Sequence, residues 1–323
     1  MKTKISVAMA TYNGSLYIEE QLNSIINQTI LPDEIIISDN YSTDDTVKKC
    51  ERILSKTNKI KYKIIYEKNR NVLANFQNAI NTTTGDIIFL CDQDDVWFEN
   101  KIEKFLNIFL SNSNCCCVFS NSYLDNEKKE KMISKLLENE DFKLSEGYLN
   151  KDDFFNIEIK KNIVTGMSLA ISDKLKYVSL PLSKYVYHDY WLAINAIFTG
   201  DVYYIDEPTA YYRQHEGNVV GTKKRLTLNK IYRSIKKTKE KCENELKFLI
   251  EIQNKYPFAI NYSFFKNKIS FLKKRLDLIN NPSIKTFFCI YRNKSYSTFY
   301  NRSSEKYRDC LFVIFDFLFR GGN

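Results

Sequence analysis

The sequence predicts an α/β protein: a mostly parallel central sheet flanked by helices, followed by a basic, mainly helical C-terminal region. Three observations carry this reading. Short apolar runs that end in polar clusters recur roughly every 30 residues with helical periodicity between them, the pattern of βαβ units. One run, Ile87 to Leu90, is bulky and apolar at every position, as suits a strand covered on both faces. Charge is also unevenly spread. The 323 residues have a net charge of +9, but residues 221–323 carry 23 Lys+Arg and 8 Asp+Glu, a local +15 that leaves −6 on the first 220. The expected domains are therefore 1–221 and 222–323.

Ile5 to Ala10 reads as the first strand and Thr11-Tyr12-Asn13-Gly14 as its turn. Leu16, Ile18, Leu22, Ile25 and Ile26 recur at helical spacing. Pro32 resets the chain before a second strand, Glu34 to Ser38, which runs into the polar loop Asp39 to Thr46. Within that loop Ser42, Thr43 or Asp44 can cap the next helix. Tyr62 to Tyr66 form a third strand, and Asn71 to Asn81 a helix. The fourth strand ends in Asp92-Gln93-Asp94-Asp95-Val96-Trp97, with a helix expected from near Phe98. Cys115 to Ser120 is another apolar strand, and 124–150 is a charged insertion, mobile or helical, over the site. Ile163 to Ile171 reads as a strand broken by Gly166, followed by a helix from His188 to about Thr199 and a strand from Val202 to Ile205.

The eight cysteines show no CxxC pair, and three are adjacent in an apolar run, so we read buried thiols in a reducing compartment. No signal peptide and no apolar run near the ~20 residues of a membrane helix is visible. The expected location is cytoplasmic, peripheral at the inner face of the cell membrane. The run Cys310 to Phe319 and the lysine-rich tail suit an anionic membrane surface.

Polar clusters at Thr11–Asn13, Asp39–Asp44 and Asp92–Asp95 all follow predicted strands, and a parallel sheet brings such ends to one edge. Thr11 and Asn13 can bond a base edge, and Asp39 a base N–H or ribose hydroxyl. Three carboxylates in four positions suit Mg²⁺ or Mn²⁺ held against a diphosphate. A solvated acidic turn capping the next helix is the plainer explanation, and Asp95 is expected to serve partly as that cap. Neither a GxxxxGK[ST] nor a GxGxxG phosphate loop occurs.

The segments Ala10-Thr11-Tyr12-Asn13-Gly14, Asp39-Asn40-x-Ser42-x-Asp44, Phe89-Leu90-Cys91-Asp92-Gln93-Asp94-Asp95-x-Trp97 and His188-Asp189-x-Trp191 resemble family 2 glycosyltransferases of the GT-A (Rossmann-like) fold. Tyr212-Arg213-Gln214-His215-x-x-Asn218-Val219-Val220-Gly221 is similar to a bacterial, rhamnosyltransferase-like branch. The resemblance spans roughly residues 4–221. It implies inverting, metal-dependent transfer of a hexosyl or rhamnosyl group from a UDP- or dTDP-linked sugar. The acceptor would be a glycan or lipid-linked saccharide in polysaccharide synthesis, as for a capsule or O-antigen. By the same resemblance Thr11, Tyr12, Asn13 and Asp39 bind the nucleotide. Asp92 and Asp94 form a DxD motif, with Asp94 the direct metal ligand, Asp92 nearer the ribose and Asp95 assisting. Asp189 is the catalytic base, and His215 reaches the diphosphate or the metal. Asn69-Arg70-Asn71 stands where many members have Asn-x-Gly, a departure that leaves the donor-side contacts open, Arg70 facing the diphosphate being one alternative. Arg213 either pairs with the diphosphate or bridges to a carboxylate of the protein.

Two other readings compete. A nucleotidyltransferase that builds the nucleotide sugar would carry a basic, Gly-rich loop after the first strand, and this turn has no Lys or Arg. A nucleic-acid-binding protein is suggested by the basic tail with interleaved Phe and Tyr, although no nucleic acid is expected as a partner.

Overall fold

The computed structural model describes residues 2–69, 71–126, 135–137, 144–214, 228–257, 263–281 and positions 285, 288, 290, 299 and 309. The chain forms two compact units. One comprises Met1–Phe155 with Asn162–Val219, the other Asn156–Lys161 with Val220–Asn323.

The first unit begins β1 (Ile5–Thr11), α1 (Ile18–Ile26), β2 (Glu34–Asp39), α2 (Thr46–Leu54), β3 (Lys61–Tyr66), α3 (Val72–Thr82) and β4 (Ile87–Cys91). It continues with β5 (Val96–Trp97), α4 (Lys101–Ser111), β6 (Cys115–Ser120), β7 (Tyr123–Asn126), β8 (Gly147–Tyr148) and α5 (Lys151–Glu158), which runs into the second unit. Then come β9 (Leu169–Ser172), α6 (Asp173–Ser179), α7 (His188–Thr199), β10 (Asp201–Ile205) and β11 (Ala210–Gln214).

Eight strands form the main sheet in the order β3-β2-β1-β4-β9-β6-β10-β8. β3, β2, β1 and β4 are parallel neighbours, and β6 pairs parallel with β10. β9 runs antiparallel between β4 and β6, and β8 antiparallel on β10. β1, β2, β4 and β6 are buried along their whole length. That matches their mostly apolar sequences, each buried Ile, Leu or Phe contributing about 1.5–3 kcal/mol. β3, at the sheet edge, exposes Lys61, Tyr62 and Lys63, as an edge strand protected from further pairing does. The order reverses between β1 and β4, so the loops after these two strands border the crevice where open α/β sheets bind ligands. A second sheet, β5-β11-β7, lays β11 beside the residues that follow β4.

Several expectations need correction. Leu16 lies before α1 and is 83% exposed. The stretch after Trp97 does not start a helix at Phe98: Val96–Trp97 pairs with β11, and α4 begins only at Lys101. Ile163 to Ile171 is not one strand. Gly166–Ser168 form a single 3-10 turn, and only Leu169–Ser172 enter the sheet. The described ends of the 124–150 insertion are the strands β7 and β8, not helix.

In the second unit α8 (Leu228–Lys255) packs on α9 (Ser263–Asn280). Phe248, Leu249, Ile252, Phe265 and Leu272 are fully buried there. Two cations are buried as well. Lys268 pairs with Glu245 at 2.6 Å and donates to the Ile159 carbonyl, and Arg275 makes a two-pronged pair with Asp309 at 2.7 and 2.9 Å. Pairing is what makes buried charge tolerable. Among the described residues no helix is long and apolar enough to cross a membrane. The run Cys310 to Phe319 lies outside the described residues. The described cysteines Cys50, Cys91, Cys115, Cys116, Cys117 and Cys242 are buried free thiols.

Candidate active site

The loop after β2 closes on itself and on the turn after β1. Asp39 is wholly buried. Its carboxylate accepts from the Ser42 N–H (2.6 Å), the Ser42 hydroxyl (2.6 Å) and the Thr11 hydroxyl (2.7 Å). Thr11 is buried too, and its carbonyl accepts from the Asn75 amide at 3.0 Å. Asn13, at φ 46°, accepts the Thr43 N–H at 2.8 Å, while its own N–H donates to the Ser42 hydroxyl at 2.8 Å. Asp44 accepts the N–H groups of Ser15 and Thr46, both at 3.0 Å. Burial would raise its pKa, but these donors and the Thr46 hydroxyl outweigh that and hold it at about 2. Thr11 and Asp39 thus bond each other and the loop instead of presenting free polar groups to a base edge. Tyr12 and Asn13 are exposed.

The loop after β4 behaves differently. Burial and the charges of Asp94 and Asp189 push the Asp92 carboxyl up to about 8. Asp95 is driven well above the carboxylate range by burial and by Asp92 and Asp94, with the Arg213 N–H and Lys101 opposing. One Asp95 oxygen accepts the Arg213 N–H at 3.2 Å, and the other has no partner among the described residues. Asp95 is not a helix cap, because α4 starts six residues later behind Asn100. Arg213 bridges to a protein carboxylate. It pairs with Glu20 at 2.5 Å and donates to the Asp94 and Asp95 carbonyls at 2.6 and 3.2 Å.

Two residues that sequence reasoning missed hold this loop. Gln93 bonds both the N–H and the carbonyl of Tyr12, at 2.9 and 3.1 Å, stitching the β1 and β4 loops together across the strand-order reversal. A Cβ at position 14 would lie 2.2 Å from its carboxamide oxygen, so a side chain there would push Gln93 off these bonds. Lys101 is fully buried, donates to the Met167 carbonyl at 2.8 Å and lies 4.7 Å from the Trp97 ring centroid. Burial lowers its pKa to about 7, against the pull of Cys91 and Asp95. Gln93 was signalled by its place between Asp92 and Asp94. Lys101 gave no signal, since lysines on helices are normally exposed.

Asp189 sits in the first turn of α7 and takes 3.0 and 2.7 Å bonds from the Asn162 amide and the Tyr190 N–H, with a further bond from the Gly166 N–H. Burial outweighs these donors and lifts its pKa to about 6. It is close enough to Asp92 for the two charges to interact. His188 before it is buried and stacked on Phe76, centroids 3.7 Å apart. Burial lowers its pKa to about 3, so the ring is neutral. A Cβ at position 166 would lie 2.5 Å from its Nε2, which explains the glycine and the break in the expected strand. Trp191 donates to the Ser179 carbonyl at 2.7 Å and is a packing residue. Arg70 and His215 lie outside the described residues.

No three His, Cys, Asp or Glu side chains among the described residues converge on a metal position. The donor chemistry nevertheless fits a hard cation. The Asp94 charge helps to raise both Asp92 and Asp95, and one buried Asp95 oxygen has no partner among the described residues. Mg²⁺-type ions commonly use one or two carboxylates and take further ligands from substrate phosphates.

Residues 6–172 match the family model "Glycosyl transferase family 2". The dTDP-rhamnosyl transferase RfbG of Shigella flexneri is 33% identical over 248 residues, covering 70% of this chain and 81% of that protein. The chain spans about a third of the length of two further curated relatives, both glycosyltransferases. S. aureus TarS in complex with UDP-GlcNAc superposes with TM-score 0.56 at 14% identity, over 99% of this chain and 92% of that one. A mannosyltransferase from Pyrobaculum calidifontis, solved with GDP-Man and Mn²⁺, gives 0.51 at 13%, over 99% and 88%. At such identities these structures show the fold alone, and that fold is GT-A. The family match over half the chain, joined to the RfbG similarity, makes this protein a member of glycosyl transferase family 2.

Proposed function

We propose that the protein transfers a sugar, with inversion, from a UDP- or dTDP-linked donor to a hydroxyl of a glycan or lipid-linked acceptor in bacterial surface polysaccharide synthesis. One observation carries this reading: a carboxylate with its pKa raised to about 6, held by three N–H donors, stands beside an acidic cluster at the crevice. A base poised near neutral pH suits proton abstraction from an alcohol. The similarity to a dTDP-rhamnosyl transferase supports a dTDP-linked sugar as donor.

In this mechanism Asp189 accepts the proton of the acceptor hydroxyl as its oxygen attacks the anomeric carbon. The bond to the diphosphate breaks on the opposite face, through an oxocarbenium-like transition state. A single base with no carboxylate nucleophile gives inversion. Asn162, Tyr190 and Gly166 fix the base. Asp92 and Asp94 would hold Mn²⁺ or Mg²⁺, which supplies charge stabilisation to the leaving diphosphate when bound. Tyr12 and Asn13 meet the nucleotide, with Thr11 and Asp39 shaping the loop behind them. Arg213 acts by holding the Asp94–Asp95 backbone. Arg70 and His215 are assigned to the diphosphate side.

The test is a panel of UDP-, dTDP- and GDP-sugars incubated with the protein and Mn²⁺, read as sugar release or transfer. Turnover of at least one donor, abolished by EDTA, is expected; failure of a folded protein to bind or turn over any would overturn the reading. For the basic C-terminal region we propose docking on an anionic membrane surface near a lipid-linked acceptor. Equal liposome co-sedimentation with and without residues 222–323 would refute it.

A further inference from the structure

Of the groups that sequence assigns to the base, Thr11 and Asp39 are used inside the loops, while Tyr12 and Asn13 remain exposed. The same edge also exposes a pair of aromatic rings. Tyr41 and Tyr66 are 44% and 50% exposed, and their rings lie 5.3 Å apart at 35°. Tyr66 ends β3 directly opposite Asp39 of β2. Tyr41 has φ 57°, in the left-handed region that disfavours any residue with a Cβ, a bulky one above all.

Tyr41 is held in that conformation from both sides. The Asn40 amide donates to the Glu67 and Asn69 carbonyls at 3.1 and 3.2 Å, tying the β2 loop to the β3 loop. Ser42 is fixed to Asp39 by two bonds, and it also anchors the β1 turn through Asn13. Glycine or asparagine would satisfy this backbone with less strain. A bulky aromatic is thus a costly choice for this backbone, and strain of this kind collects at ligand sites.

We propose that the Tyr41–Tyr66 pair is the stacking platform for the nucleobase of the nucleoside-diphosphate donor. This rests on the donor reading above and deepens it: the base is gripped by its π face, and not chiefly through hydrogen bonds to Thr11 and Asp39. Stacking of this kind tolerates different bases, since each has a π face.

Calorimetric titration of the full-length protein in Mg²⁺ tests this, with dTDP, UDP, GDP and inorganic pyrophosphate as ligands. In Tyr41→Asn and in Tyr66→Ala, nucleoside-diphosphate affinity should fall about tenfold or more, while pyrophosphate affinity stays within about twofold. The unliganded Tyr41→Asn protein should melt at the wild-type temperature or above it, because strain is relieved. A purely packing role predicts the opposite sign. The inference is overturned if both variants bind nucleoside diphosphates like wild type, if pyrophosphate affinity falls in step, or if Tyr41→Asn melts several degrees lower. If folded wild type binds no nucleoside diphosphate, the donor reading itself fails. If wild type binds and the variants match it, only the platform fails.

Discussion

Asp39 and Asp44, after β2, and Asp92 and Asp95, after β4, are carboxylates at the same edge of the same sheet, with Asp189 in contact with the second group's field. In the first set each oxygen meets N–H or O–H donors from its own or the neighbouring loop, and Asp44 falls to about 2. In the second set burial and mutual repulsion dominate, raising Asp92 to about 8 and Asp189 to about 6. Residue type does not separate them, and neither does position in the fold. For Asp92 and Asp95 the difference is the supply of donors, whereas Asp189 has donors and burial outweighs them. Where donors outweigh burial and repulsion, the carboxylate is a structural brace. Where they do not, the charge is held at a cost that a cation or a transferred proton relieves, as expected of acids that act on a substrate.

The sharpest way to test the second set is Asp189→Asn. It keeps the size of the side chain and removes the base, so kcat should fall by about 10²–10⁴ with nucleotide affinity nearly unchanged. In the wild type, kcat/KM should rise with pH through about 6 as Asp189 loses its proton. A variant with wild-type turnover, or a profile flat from pH 5 to 7, would remove Asp189 from the reaction.

Next in size is the effect of the cation. Asp92 has a folded-state pKa of about 8, above its ordinary 3.8, so its contribution to stability is fully present below 3.8 and is lost as pH rises through 8. Without metal the melting temperature should therefore decline between about pH 4 and 8. Saturating Mn²⁺ or Mg²⁺ should restore it most at the alkaline end, by about 2.7 kcal/mol at a hundredfold excess over Kd. Asp92→Asn should flatten the decline and abolish the metal shift. A metal shift that survives in both this variant and Asp94→Asn would place the cation elsewhere.

Smaller again is Lys101→Met, which leaves the Met167 carbonyl without its donor and Asp95 without a compensating charge. A loss of about 1–3 kcal/mol in urea unfolding is expected. A neutral result would show that the buried lysine contributes nothing to holding the acidic loop.

What was legible in the sequence divides along the same line. β1, β2, β4 and β6 could be read because burial on both faces forces mostly apolar runs, and α7 because its polar start and apolar body are local. The acidic residues could be located as well. Their states could not, because donor supply is a tertiary property: the Thr11 hydroxyl that bonds Asp39 comes from 28 positions away, and the Gln93 bonds to Tyr12 span 81. Lys101 and the two-residue β5 were invisible for related reasons. A charge on a helix reads as exposed, and a strand that short has no period of its own. The broken strand at Gly166 was misread because the glycine answers to His188, a ring 22 residues later in the chain.

The smallest expected effect belongs to the braced set, and it has the opposite sign in pH. Asp44 closes the start of α2 by accepting the Thr46 and Ser15 N–H groups. Asp44→Ala should cost about 1 kcal/mol at neutral pH, as loss of a helix-terminal acceptor does. Because its folded pKa is depressed to about 2 from an ordinary 3.8, that contribution is present above 3.8 and lost as pH falls through 2. The stability gap between wild type and Asp44→Ala, measured by urea unfolding, should therefore close on acidification. The gap between wild type and Asp92→Asn should instead open in the variant's favour as pH rises. If both gaps moved in the same direction, donor supply would not be what divides these carboxylates, and the contrast between the two loops would have to be sought in their backbone geometry.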